Sequence, residues 1–331
     1  MKTTANIPVF VPHAGCPNTC IFCDQRSISG KVKLPESNEV TSFCLQALDG
    51  LPKGISKAEI AFFGGSFTAI DRSYMIQLLE AVQPCRSHPK MGGIRLSTRP
   101  DAVDREVLGL LKDYGAVAVE LGVQSLNDQV LALNQRGHSA EDTRIASALI
   151  KEAGLELGHQ IMLGMYGDSE QAFRATVQGS VEMCPDTVRI YPVAVLKNTA
   201  LHMLWQQGSY TPPALEQAVE LGGWALQRYN SAGIRVIRMG LHDSPDTKEN
   251  CVAGIYHPAF RELCESRVML RSALEQLSEH PAGTYTFTVA QGATSKMVGQ
   301  RRCNLLALEQ AGYKVVIKES NTVDYLKVLI E

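Results

Sequence analysis

Up to Pro192, short apolar segments alternate with helix-like stretches, and this alternation limits the fold more than any other feature of the chain. It predicts strands at Ile7–Val11, Ala58–Phe63, Ile94–Ser97, Val117–Gly122, Leu155–Leu163 and Thr187–Tyr191. Helical periodicity fills the intervals near Glu39–Leu48, Ser73–Val82, Arg105–Tyr114, Ala140–Ala153 and Glu170–Met183. Each interval is long enough for a right-handed crossover, and the strands are apolar on both faces. The pattern therefore requires an α/β fold built on a parallel sheet, either doubly wound or curled into a barrel. Under either geometry the working loops lie at the carboxyl ends of the strands.

After Pro192 the pattern changes. A Pro212–Pro213 break precedes a helix over Ala214–Tyr229 and a strand at Ile234–Met239, and the polar stretch Ser244–Asn250 reads as a boundary. A mostly helical connector follows. The last fifty residues read as strand (Tyr285–Val289), helix (Ser295–Val298), helix (Asn304–Gln310) and strand (Val315–Lys318). The expected division is thus residues 1–243, 244–282 and 283–331. With 45% hydrophobic and 20% charged residues among 331, disorder, collagen and coiled coil are excluded as the dominant state. The first eleven residues carry one Lys and no long apolar run, which predicts neither a secretory signal nor a membrane span and makes the cytoplasm the expected location. A net charge of −2 neither advertises nor excludes a nucleic-acid partner, because a local patch can do the binding.

The chain has nine cysteines. An odd count without a signal argues against a disulfide framework, and six of the nine are scattered singly, as small buried hydrophobes are. Cys16, Cys20 and Cys23 instead crowd one short loop directly after the first predicted strand. The C-x3-C-x2-C spacing brings three soft thiolates round a single centre, which suits zinc, copper(I) or an iron–sulfur cluster. His13 could complete a structural zinc site. Zinc fingers, however, pair ligands from two separated knuckles, and no other cysteines form a second pair. Three ligands leave one metal position open for chemistry.

With Phe22 just before its last cysteine, this loop resembles the signature of the radical S-adenosylmethionine (SAM) enzymes. The resemblance implies that Cys16, Cys20 and Cys23 hold a [4Fe–4S] cluster and that SAM binds at its unique iron. It further implies reductive cleavage to a 5′-deoxyadenosyl radical, with electrons from a flavodoxin or ferredoxin. It resolves the fold toward a partial (β/α)6 TIM-type barrel. Gly64-Gly65-Ser66, after the second strand, is similar to the superfamily's Gly-Gly-Glu motif, with Ser66 in place of the acid. By the same resemblance Phe22, Gly64, Gly65, Ser66, Ser97, Gln124, Arg136 and Gln160 line the SAM site, and Tyr191 faces a substrate cavity as the candidate catalytic residue.

The runs Ser97-Thr98-Arg99-Pro100-Asp101, Glu120 to Ser125, Asn134 to His138 and Arg189 to Pro192, in this order, resemble the Elongator catalytic subunit and its bacterial relatives. That family's acetyltransferase domain and acyl-CoA loop are not recognisable in this sequence. The terminal unit faintly resembles a KH-type RNA-binding turn, with Arg302 at the second glycine position and Lys296, Arg301 and Arg302 as candidate phosphate contacts. Residues 283–331 carry six Lys/Arg against four Asp/Glu, a mild basic excess. The expected activity is radical SAM modification of RNA, a tRNA base in particular. A radical enzyme acting on a tetrapyrrole or other small molecule, and a non-catalytic iron–sulfur or RNA-binding scaffold, are the alternatives.

Overall fold

A computed structural model of the chain describes residues 3–11, 16, 20–23, 34–241 and 245–331. The elements run β1 (Thr4–Val11), α1 (Ser37–Asp49), β2 (Lys57–Gly64), α2 (Arg72–Ala81), β3 (Met91–Thr98), α3 (Arg105–Asp113), β4 (Ala116–Gln124), α4 (Asp128–Leu133), α5 (Ala140–Glu152), β5 (Glu156–Leu163), α6 (Glu170–Glu182) and β6 (Thr187–Pro192). After them come β7 (Ala194–Leu196), α7 (Ala200–Gln206), α8 (Leu215–Ser231), β8 (Arg235–Met239), α9 (Pro245–Asn250), β9 (Cys251–Gly254) and α10 (Phe260–Leu277). The chain closes with β10 (Gly283–Ala290), α11 (Thr294–Val298), α12 (Cys303–Gln310), β11 (Tyr313–Ser320) and β12 (Val328–Ile330). Helix starts follow local chemistry: the side chains of Asp104, Asn127, Ser139, Ser169 and Thr199 each accept a hydrogen bond from a first-turn amide of the helix they precede.

The main sheet has the order β1-β2-β3-β4-β5-β6-β8, and every pairing in it is parallel. This order decides between the two architectures. A doubly wound sheet reverses its strand order once, which sends helices to both faces. An order that never reverses, joined by right-handed crossovers, puts every crossover helix on one side and leaves the other side to close as a concave interior. The sheet is a curled half-barrel. It contains seven strands where six are expected, because the strand over Arg235–Met239 pairs with β6 through Thr187↔Arg235 to Ile190↔Met239 and adds one more βαβ unit through α8.

β7 and β9 form a small antiparallel ribbon, and β11-β10-β12 form a second sheet. In that sheet β10 pairs parallel with β11 and antiparallel with β12, a strand the sequence reading leaves out. α10 links it to the half-barrel, packing against α8 and against the terminal unit. Close approach of α10 to α8 depends on Gly222, where a Cβ would sit 2.9 Å from Cys264 Sγ. One apolar core runs from Ile7 through Val236 and Phe260 to Phe287 and Val328. Among the described residues no helix is long and apolar enough to cross a membrane.

Candidate functional site

β1 delivers the chain to the three-cysteine loop. Ile21 is buried in a second apolar cluster with Val130, Met165, Val193, Leu201 and Tyr210, and Phe22 packs against that cluster. The backbone is tied down on both sides: Ile21 N donates to Asn134 O at 3.4 Å, and Leu201 N donates to Ile21 O at 2.8 Å. These bonds hold Cys20 and Cys23 beside the α4–α5 connection. His13 lies outside the described residues.

All three thiols are half-buried. Cys16 Sγ lies 3.7 Å from Ser66 Oγ, and Cys20 Sγ accepts a hydrogen bond from Arg136 Nη1 at 3.0 Å. Among the described residues no three His, Cys, Asp or Glu side chains form a ready-made metal group. The thiols share one end of the half-barrel without being gathered round one point. Gly64 and Gly65 lie against the end of β1: Gly64 has φ +112°, and Gly65 N donates to Val11 O at 2.8 Å. A Cβ at Gly64 would sit 3.0 Å from Val11 O, so only glycine fits this approach.

Gln124 and Arg136 meet at the end of β4. Gln124 ends the strand at φ +62°, where the β4–β5 register slips between Leu121 and Gln124. Arg136 Nη2 donates to Gly122 O at 2.9 Å, and the Arg136 carbonyl accepts from Arg99 Nη2 at 3.0 Å. Gly122 leaves the space these groups occupy, since a Cβ there would meet Gln124 Nε2 at 3.1 Å and Arg136 Nη2 at 3.2 Å. Two buried polar atoms in this cradle, Gln124 Oε1 and Arg136 Nε, have no partner. Such atoms are rare in a folded protein and mark a place where a polar ligand would supply the missing bonds. His138 sits close by, with Nε2 3.3 Å from Val123 O. Burial, followed by the Arg136 charge, pushes its imidazole down to about 4. The ring is therefore neutral near pH 7.

The concave face beneath carries a network of charged side chains, of which Glu120, Arg95 and Arg189 are buried. Glu120, 1% exposed, accepts from Arg189 Nε at 2.6 Å and Nη2 at 2.8 Å, and from Gln160 Nε2 at 2.9 Å. Arg95 lies 3.4 Å from Glu120 and also pairs with Glu59 at 2.6 Å and Glu156 at 2.9 Å. Burial alone would raise the Glu120 carboxyl, but the hydrogen bonds and charge of Arg189, with Gln160 and Arg95, hold it below the usual carboxylate range. The guanidinium of Arg189 also lies over the Phe63 ring, 5.3 Å from its centroid. Gln160 is thus committed to Glu120 through its amide nitrogen. Ser97, half-buried, sits in register with Glu120 on the neighbouring strand, and Tyr191 lies two residues beyond Arg189.

Sequence reasoning misses this network. Glu120 and Arg189 stand in quoted motifs, but nothing in the sequence says that they meet. It also misses Asp168 in the loop after β5, where burial raises the carboxyl to about 6 against hydrogen bonds from Ser169 and Gly164. A carboxyl at the carboxyl end of a strand was the available signal. In the terminal unit Lys296 is tied to Glu265 at 2.9 Å and lies over the Tyr325 ring, so its charge is used within the fold. Arg301 and Arg302 are exposed on the turn after Gly299, with φ of +52° and +62°.

Comparison with known proteins accounts for the half-barrel as a whole. Residues 10–178, just over half the chain, match the radical SAM superfamily, and residues 185–269 match the radical SAM C-terminal domain. The chain belongs to the radical SAM superfamily, a superfamily of enzymes. Within it the similarity runs to Elongator-type proteins. A tRNA uridine(34) acetyltransferase of Dehalococcoides mccartyi is 27% identical over 231 residues, 60% of this chain and 50% of that protein. Elongator complex protein 3 of Danio rerio is 31% identical over 200 residues, 53% of this chain and 36% of that protein. This chain spans half or less of the length of these two relatives. The solved structure of Methanocaldococcus infernus Elp3 with an N-terminal deletion shares the fold, with a TM-score of 0.64 at 24% identity over 85% of this chain and 65% of that one.

Proposed function

We propose that this chain is a radical SAM enzyme that modifies RNA, with a tRNA base as its target. Cys16, Cys20 and Cys23 would hold the [4Fe–4S] cluster, and Gly64, Gly65, Ser66, Gln124 and Arg136 would receive SAM. When bound, the cluster and SAM supply a one-electron cleavage whose product radical abstracts hydrogen from the substrate. The observation that carries the reading is the cradle at the end of β4, where Arg136 bridges a cysteine thiol to a strand carbonyl. There Arg136 Nε and Gln124 Oε1 are left for a polar ligand. Soft thiols on one loop beside a polar cradle fit a cluster and the methionine end of SAM.

Around that site the protein's own groups have distinct work. Arg136 orients Cys20 through its hydrogen bond to the sulfur. The Glu120–Arg189–Arg95 network fixes the floor, while Ile21 and Phe22 anchor the loop in the second apolar cluster. Choice of RNA as substrate is supported by the tRNA-modifying name of the Dehalococcoides relative and by the exposed Arg301–Arg302 turn.

The deciding experiment is anaerobic. The protein is reconstituted with iron and sulfide, reduced and given SAM, and 5′-deoxyadenosine is measured with and without bulk tRNA. Stimulation by tRNA is expected. Cleavage without a tRNA response removes the RNA assignment and points to a small molecule. No cleavage by a protein carrying an intact cluster removes the enzymatic reading altogether.

A further inference from the structure

Among the described residues five buried side-chain polar atoms have no hydrogen-bond partner. Four of them, Gln124 Oε1, Asn134 Oδ1, Arg136 Nε and His138 Nδ1, belong to the end of β4 and the loop laid over it. Native folds leave few such atoms, so four in one place point to a ligand. Gln124 Oε1 and Arg136 Nε, an acceptor and a cationic donor, are matched above to the methionine end of SAM. Asn134 is engaged through its amide nitrogen, which donates to Val130 O and to Tyr166 O at 2.8 Å each. His138 Nδ1 has no part in the site as described so far.

Arg136 and His138 cap successive carbonyls of the same strand. Arg136 Nη2 donates to Gly122 O at 2.9 Å, and His138 Nε2 lies 3.3 Å from Val123 O. The next residue along β4 is Gln124, so the imidazole is tied to the strand at the cradle itself. A carbonyl oxygen only accepts, so Nε2 carries the ring proton and Nδ1 presents a bare lone pair. The side chain is 7% exposed and Nδ1 is shut off from solvent. An acceptor buried without a donor carries its full desolvation cost, which a donor arriving with a ligand removes. We infer that His138 is a further SAM-positioning residue, whose Nδ1 accepts a hydrogen bond from an N–H or O–H donor of bound SAM, either the ammonium or a group of the adenosine part. The inference rests on the SAM reading above; the free lone pair follows from the ring's own hydrogen bonding.

The test is anaerobic calorimetric titration of the reconstituted, unreduced protein with SAM, then with methionine and with 5′-methylthioadenosine. The two fragments divide the donors of SAM, since methionine carries the ammonium and the thioadenosine carries the ribose hydroxyls and the adenine amino group. His138→Gln keeps an N–H for Val123 O and removes the Nδ1 lone pair. It should weaken SAM about three- to tenfold at the parent's iron content. A loss that recurs with methionine alone names the ammonium as the donor, and one that recurs with the thioadenosine alone names the adenosine part. Unchanged SAM affinity in His138→Gln overturns the inference and leaves the SAM reading intact. Equal weakening of both fragments also overturns it, because a disturbed site, and not one lost bond, has that effect. A parent protein that carries its cluster and does not bind SAM removes the SAM reading and this inference together. If His138→Gln does not fold, His138→Phe decides by the same criteria, since Val123 O keeps its bond from Ser125 N at 2.8 Å.

Discussion

Replacing Glu120 by Gln removes one negative charge from the middle of the concave face while keeping the side chain's shape. Arg95 would retain Glu59 and Glu156, whereas Glu120 is the sole carboxylate paired with Arg189 among the described residues, so Arg189 bears most of the loss. Removing one partner of a buried ion pair costs about 3–5 kcal/mol, because the other charge stays buried. At about 2–4 °C per kcal/mol for chains of 150–250 residues, and less for longer ones, the melting temperature should fall by roughly 5–10 °C at pH 7. The sign of the pH response follows from the depressed carboxyl. Its folded pKa lies below the unfolded value of about 4.3, so the pair contributes its full stability above that pH and loses it as pH falls through the folded pKa. Thermal melts by circular dichroism, at pH 7 and in a series descending to pH 3, measure both effects. The variant should start lower and lose less on acidification than the parent does. A melting temperature within about 2 °C of the parent at pH 7 would refute the reasoning, since a network that costs so little to break cannot be holding the floor of the site.

Four other outcomes follow from the structure. Cys20→Ala should lose the cluster, and unchanged iron content and cluster absorbance after reconstitution would remove Cys20 from the ligand set. Arg136→Ala takes away a cationic donor at Cys20 Sγ, so the reduced cluster loses stabilisation and its midpoint potential should fall by on the order of tens of mV, read by potentiometric titration. His159 is fully buried between Ser147 and Ser180, and burial, then the Lys151 charge, lowers it to about 3. The unfolded chain therefore binds a proton that the fold refuses, and stability should decline as pH drops below about 6.5. Urea melts at pH 7, 6 and 5 should show that slope, flattened in His159→Gln, and an unchanged slope would mean that the ring is protonated in the fold. Replacing Arg301 and Arg302 together by Ala should weaken tRNA binding and flatten its salt dependence without changing SAM cleavage; equal affinity would take the terminal turn out of RNA recognition.

Much of the fold can be read from the chain because buried parallel strands are apolar on both faces and stand out between helical intervals. β2, β4 and β6 are found within a few residues of their predicted limits. β12 is missed because it is three residues long, too short for any periodicity to show. The site divides in the same way. Cys16, Cys20, Cys23 and Gly64–Gly65 are legible since their chemistry depends on spacing along the chain. Arg136 and Gln124 are recognisable as residues, but the meeting of Arg136 with Cys20 spans 116 positions and depends on the curl of the sheet.

The amino-acid sequence alone determined the α/β class, the three-thiol loop and the glycine pair behind it, because each is set by neighbours close in the chain. Tertiary structure decided the strand order that turns the sheet into a half-barrel. It also decided the pairing of Glu120 with Arg189, 69 residues away, and the tie of Lys296 to Glu265. A charged residue inside a strand looks alike in sequence whether it meets water, a partner or a ligand. Only closure of the sheet, which sets the distance between strands and removes the water, assigns it one of the three.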